Sequence, residues 1–532
     1  SRGLGDVYKR QFLEGFALAA TALFLLLMIP PSWSYANNQA PILSPALGLS
    51  DMIRTSAIPV AAVLMLLQAV IRLGRGSLRA LGLAVVLLGV IAGLLWAGQS
   101  LITGIGNWNL VLFFVGLLGL GVLAGVPVGF SFGMATISFL LTTNAAPPSV
   151  MLSTMDQGMS SLILLAVPLF VFLGGLLEMS GMARAMIAFL TAILGSVRGG
   201  LSYVLLGAIY LVSGISGAKA ADMAAVAPVL FPEMKKRGMN EGEMVSVLAS
   251  AAAMSETVPP SIVLIAIGSA TGVSIAALFA GGLIPALVLA LALGVIAWWR
   301  SGGDKTEMAE KIPNKEKFRR FWVALPALAL PFVIRFAVVD GVATATEVST
   351  IGIAYAVLVG LFVYRSFDWR RIYPLLIETA SLSGAILFII GAASAMGWAL
   401  TQSGFSQSLT VAMQAVPGGR VGFMVVSILA FLVLGSVLEG IPAVVLFGPL
   451  LFPVAQSIGV NEVHYAITIV LAMGLGLFSP PFGVGYYAAC AIGKINPDAG
   501  LRRIWPYMGA LLVGIVIVAM VPWLTTCLIG AN

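Results

Sequence analysis

Residues 214 to 260 return, shifted by 221 positions, at 435 to 481. Gly214, Pro228, Pro232, Gly238, Pro259 and Pro260 fall on Gly435, Pro449, Pro453, Gly459, Pro480 and Pro481. Leu230, Phe231, Asn240 and Glu241 recur as Leu451, Phe452, Asn461 and Glu462. Six of the eight Gly and Pro residues in the stretch are in register, far more than chance gives with 60 Gly and 27 Pro in 532 residues. A fixed internal period constrains a fold strongly, because both copies must build the same unit. The copies need not share an orientation.

The chain is 60% hydrophobic and 9% charged, with a mean hydropathy of +1.06. Soluble domains carry about 25% charged residues, so this is an integral membrane protein in a lipid bilayer. About a dozen apolar runs approach the roughly 20 residues that cross a bilayer as helix. The alternating polarity of a membrane barrel is absent. The expected class is therefore an all-α polytopic membrane protein. Its two cysteines, Cys490 and Cys527, lie in apolar runs, which argues against a disulfide framework or a Cys-based metal site. A single histidine, His464, excludes His-rich metal chemistry. The net charge of +7 reads as loop bias rather than a nucleic-acid patch.

Taken in order, 1–11 (SRGLGDVYKRQ) has no apolar period and reads as a non-native leader. Helices are expected at 12–30, 56–72, 78–100, 108–124, 126–143 and 162–180, with 30–45 a polar, Pro-rich external loop. Arg72, Arg75 and Arg79 mark a cytoplasmic loop, which puts 143–162 outside. The stretch 184–198 reads as an amphipathic surface helix. A re-entrant hairpin is expected at 201–232: two arms of about a dozen residues, each too short to span, around a break at 213–219. Its exit carries Lys235, Lys236 and Arg237 and so faces the cytoplasm. The next helix breaks at MSETVPPS (254–261), where two prolines remove backbone donors. A charged cytoplasmic loop (300–320) precedes passes at 321–340, 345–364 and 378–400, and a surface helix at 406–416. The second hairpin spans 422–453 with a break at 435–440, and its exit VAQSIGV lacks Lys and Arg. That charge difference is what an inverted copy predicts. A further helix breaks at LFSPPFG (477–483), and 505–527 ends the chain.

Four helix breaks thus fall near mid-membrane, two per repeat. Broken helices free carbonyls that can replace the hydration shell of Na⁺, and their N-termini attract carboxylates; inverted repeats with such breaks mark secondary transporters. The bland alternative is that Gly and Pro merely kink packed helices. Intramembrane charges are costly, which singles out Lys219, Asp222, Glu256 and Glu439. Lys219 and Asp222, three apart, can pair on one helical face, or Lys219 can meet an anionic substrate. The pair is preferred because it satisfies both charges with or without substrate. Glu256 and Glu439 suit a cation ligand, a proton carrier or, preferentially, a brace for the break. Glu347 reads as a helix cap, and Trp398 and His464 as packing residues.

At these motifs the chain resembles the large membrane subunit of the tripartite ATP-independent periplasmic (TRAP) transporters. The matching stretches are SGISGAKAADMAAVAPVLFPEMKKRG, SETVPPSIVLIAIGSATGVSIAALFAGGLIP, ATEVSTIGIAYAVLVG, GAASAMGWALTQSG, LEGIPAVVLFGPLLFPVAQSIGV and LGLFSPPFGVG. They cover about 107–528, divided as repeat 1 (107–299) and repeat 2 (321–528). Segments 12–72 resemble the tail of the family's small membrane subunit, joined through a linking helix near 78–100, so that 12–106 forms an incomplete fused part. The resemblance implies an elevator-type importer in the bacterial inner membrane, driven by Na⁺ and fed by a periplasmic substrate-binding protein. Its cargo would be a carboxylate or sulfonate, and Na⁺ would be the only metal, with no cofactor. It places one Na⁺ site at Ser213, Gly214, Ser216, Gly217, Ser255, Thr257 and Pro259. A second falls at Gly435, Glu439, Gly440, Gly476, Ser479 and Pro480. Substrate-binding candidates are Lys219, Asp222, Ser216 and Glu256, and Lys219 stands where many relatives carry a small or hydroxyl residue. The competing transporter is a stand-alone Na⁺/divalent-anion symporter that needs no binding protein. An intramembrane hydrolase lacks a catalytic constellation, and two hairpins suit occlusion better than a passive channel.

Overall fold

A computed structural model describes residues 2–44, 48–75, 78–301, 312–438 and 440–529. Among these residues the fold is helical, and ten helices are long and apolar enough to cross a membrane. The chain packs into two compact units that cut across its linear segments: 1–160 with 385–409, and 161–384 with 410–532.

In the first unit, the helix Arg2–Asn38 lies along Ala57–Gly74 and Leu78–Ala97. Phe16, Ala19, Ala20, Ala84 and Val126 form a buried cluster between them. Gly133 is a steric necessity there, since a Cβ would stand 2.5 Å from the Phe24 ring. The first helix does not stop at residue 30. It continues through Pro30 and Pro31, because Tyr35 and Ala36 are buried and the Tyr35 hydroxyl donates to Asp156 at 2.8 Å. Asp156 belongs to a helix, Pro148–Met159, within the stretch expected as an external loop. Arg54 reaches the same carboxylate at 2.8 Å and also binds Asp51.

The second unit holds both hairpins and both broken helices. The first hairpin has arms Gly200–Ser216 and Lys219–Lys236; the second has arms Gly419–Val437 and Gly440–Ser457. The second arms correspond at both ends under the 221-residue shift. At 17 and 18 residues, the arms of the first hairpin are longer than expected from sequence, because the break is narrower: only Gly217 and Ala218 leave the helix. Gly217 takes a left-handed φ of +63°, which favours glycine. Each hairpin precedes a broken helix: Glu241–Met254 then Ile262–Thr271, and Glu462–Phe478 then Val484–Gly493. The Pro259-Pro260 and Pro480-Pro481 bonds at the two breaks are cis. Asn240 and Asn461 cap the two broken helices through their side chains.

Candidate functional site

The first hairpin tip sits on the first helix break. A Cβ on Gly217 would lie 2.7 Å from the Pro260 carbonyl oxygen, and the Ile262 amide donates to the Gly217 carbonyl at 3.4 Å. Ser213, still in the last helical turn, donates its hydroxyl to the Ser255 carbonyl at 2.9 Å. Gly214 also remains helical and packs against Pro331. Ser216 donates to Asp222 Oδ1 and accepts from the Ala218 amide at 3.2 Å. Asp222 is fully buried, and its second oxygen has no hydrogen-bond partner. The other candidate hydroxyls are turned inward: Ser255 to Ala252 O at 3.1 Å and Thr257 to Met254 O at 2.9 Å. The carbonyl of Pro259 lies beside Gly214, 3.7 Å from where a Cβ would be.

Lys219 does not pair with Asp222. Its ammonium lies 2.8 Å from Glu256 Oε1, with both side chains under one-tenth exposed, and 5.4 Å from the centre of the Phe478 ring. Proximity in sequence was misleading, because Ser216 takes the aspartate while the broken helix swings Glu256 towards the lysine. The second arm begins at Lys219, the positive end of the helix dipole, where a lysine is disfavoured. Glu256 compensates both charges. The sequence singles out Glu256 as an intramembrane charge but not its partner, 37 positions away.

The second joint is built differently. A Cβ on Gly435 would lie 2.3 Å from Met473 O, and one on Gly476 would lie 2.1 Å from Leu432 O. Two helix backbones therefore touch, which only glycine permits. The Ser479 hydroxyl turns back to Leu475 O at 2.6 Å, and Pro480 is buried. Gly440 faces across to the first joint, its missing Cβ lying 3.0 Å from Glu256 Oε1. Glu439 lies outside the described residues. Phe478 and Gly474, absent from the sequence candidates, complete the junction; Phe478 is the shifted counterpart of Thr257, which was the available signal.

Elsewhere, Thr344 and Glu347 form a capping box. His464 bonds Thr525 at 3.0 Å and Ala519 O at 3.2 Å, in keeping with a packing role. At the edge of the first unit, burial alone would push the Asp156 carboxyl up, but hydrogen bonds from Arg54, Tyr35 and Ser160 hold it below its usual value.

A multi-pass helical protein with two duplicated hairpin–break joints meeting at buried charges is a membrane transporter, not an enzyme. The chain belongs to the tripartite ATP-independent periplasmic transporter family, DctM component, whose family model matches residues 111–524. It is 30% identical over 409 residues to the uncharacterized protein YgiK of Salmonella typhimurium, covering 76% of this chain and 93% of that one. It is 28% identical to the C4-dicarboxylate TRAP transporter large permease protein DctM of Rhodobacter capsulatus, over 78% of this chain and 98% of that one. Similarity to the isethionate TRAP transporter permease protein DctMQ of Oleidesulfovibrio alaskensis is 26% over 509 residues, 95% of this chain and 79% of the relative.

Proposed function

We propose that this permease imports an organic anion, a carboxylate or sulfonate, across the bacterial inner membrane by coupling it to Na⁺. A periplasmic binding protein delivers the cargo, and the N-terminal helices supply part of the small membrane subunit. The carrying observation is the first joint, where a buried carboxylate oxygen of Asp222 has no hydrogen-bond partner beside the hydroxyls of Ser213 and Ser216. Oxygen donors of this kind suit a hard cation. The relatives named for C4-dicarboxylates and isethionate support the anion class. In this reading the repeats are inverted and move as an elevator. Reagent access at Lys236→Cys and Ser457→Cys tests the inversion, with access from opposite membrane faces expected.

The deciding experiment is uptake of succinate and isethionate into proteoliposomes, with and without the cognate binding protein and a Na⁺ gradient. Uptake requiring both is expected. Uptake without the binding protein would favour the stand-alone symporter, and uptake indifferent to Na⁺ would overturn the coupling.

A further inference from the structure

The pair formed by Lys219 and Glu256 exists only once in a duplicated structure. Under the 221-residue shift, Lys219 corresponds to Gly440 and Glu256 to Leu477. Yet Gly440 lies against the same Glu256 carboxylate, 3.0 Å from its Oε1 as measured from an added Cβ. Both hairpins thus converge on Glu256, and one of them delivers an ammonium. The lysine is held from two sides. Glu256 Oε1 is 2.8 Å away, and the Phe478 ring offers its negative face at 5.4 Å. A buried carboxylate and an aromatic face together hold a cation there. By contrast, a cavity of about 150 Å³ beside the tip is lined by Ser216, Ala218 and Ala221, with Lys219 absent from its wall. Through Glu256 and Phe478 the lysine faces the junction of the hairpins.

We propose that Lys219 is a tethered cation. Its ammonium fills a site at Glu256 that a Na⁺ ion would otherwise occupy, so the chain carries one fixed charge in place of one mobile ion. Removing the ammonium while keeping Glu256 takes away the cation of a buried ion pair, and a carboxylate oxygen ligand suits a small hard cation in its place. The proposal rests on the Na⁺-coupled reading for its biological meaning, but its test does not.

The test is thermal unfolding of the purified full chain in NaCl against KCl at constant ionic strength. Wild type sets the baseline difference between the two salts. Lys219→Ala is expected to unfold earlier in KCl and to gain an extra Na⁺-selective rise in Tm of roughly 3 °C at saturating Na⁺. Lys219→Ala/Glu256→Gln is expected to return to the wild-type difference, since neither charge remains. Lys219→Met, which keeps the apolar stem, repeats the measurement if Lys219→Ala does not fold. An unchanged salt difference in the single variants, equal rescue by K⁺, or an extra Na⁺ rise that survives in the double variant would each overturn the proposal. So would single variants that fold in neither salt while the double variant folds. A wild type with no Na⁺ response would instead count against Na⁺ coupling, leaving the comparison between variants to decide the tethered cation.

Discussion

The first joint carries Ser213, Ser216, Lys219, Asp222, Ser255, Glu256 and Thr257; the second carries Leu434, Val437, Gly440, Ala443, Gly476, Leu477 and Phe478 at the same shifted positions. Both place a hairpin tip against a break before a cis Pro-Pro bond. The first joins them through side-chain oxygens, including the 2.9 Å bond from Ser213 to Ser255 O. The second uses glycines at 435 and 476 to bring backbone onto backbone. A duplicated frame thus leaves room for two chemistries: a side chain can be exchanged without moving the chain, whereas a backbone contact forbids any side chain at all.

The largest expected effect lies at the second joint. Gly476→Ala should cost about 3 kcal/mol or more, because its Cβ meets Leu432 O at 2.1 Å and a helix must shift. Ser255→Ala, the matching substitution at the first joint, should cost about 1 kcal/mol. Thermal unfolding of both variants checks this, and equal costs would erase the distinction between backbone and side-chain joints. Next come the charges. Lys219→Met or Glu256→Gln alone should cost about 3–5 kcal/mol in KCl by stranding the partner, and the double variant should recover most of it. Lys219→Met/Asp222→Asn should show no such recovery, because the ion pair runs to Glu256.

A smaller effect concerns ion dependence. Ser213→Ala and Ser216→Ala should each raise the Na⁺ concentration for half-maximal uptake by roughly 5-fold, about the loss of one hydrogen-bond-sized contact. Ser479→Ala should leave it unchanged, since that hydroxyl serves Leu475 O. The smallest effect provides an external standard. Asp156 pairs with a half-exposed Arg54, so Asp156→Asn should lower stability by only about 1 kcal/mol at neutral pH. Its carboxyl is held below its ordinary value in the fold. The contribution is therefore complete above that ordinary value and disappears as pH falls through the depressed one. Unfolding of wild type and variant across acidic pH should converge.

The hairpins and broken helices were legible because Gly and Pro recur in register, and because apolar arms of known length flank them. The width of the first break was not. Ser213 and Gly214 read as loop residues, yet one is fastened to Ser255 O and the other packs on Pro331, so the helix continues to Ser216. Pro30 and Pro31 likewise signalled a stop, but burial of Tyr35 and its bond to Asp156 carry the helix on to Asn38. The Lys219 partner was hidden for a related reason: three-residue spacing describes one helix, whereas Glu256 arrives from another. The sequence singles out the charged and hydroxyl side chains inside apolar runs, but their pairings come from tertiary packing.

Glu243 and His464 are the same position in the two halves. Glu243 binds Arg300 through contacts of 2.7 and 2.8 Å and accepts from Tyr507; His464 bonds Thr525 and Ala519 O. Each fastens the start of its broken helix: Glu243 to Arg300 near the end of the first half and to Tyr507 of the second, His464 to the closing segment of the second. After duplication, the task of that position outlasted its side chain, so descent is written here in what the residue holds rather than in which residue it is. A search for further kinship between the halves would do better to compare fastenings than letters.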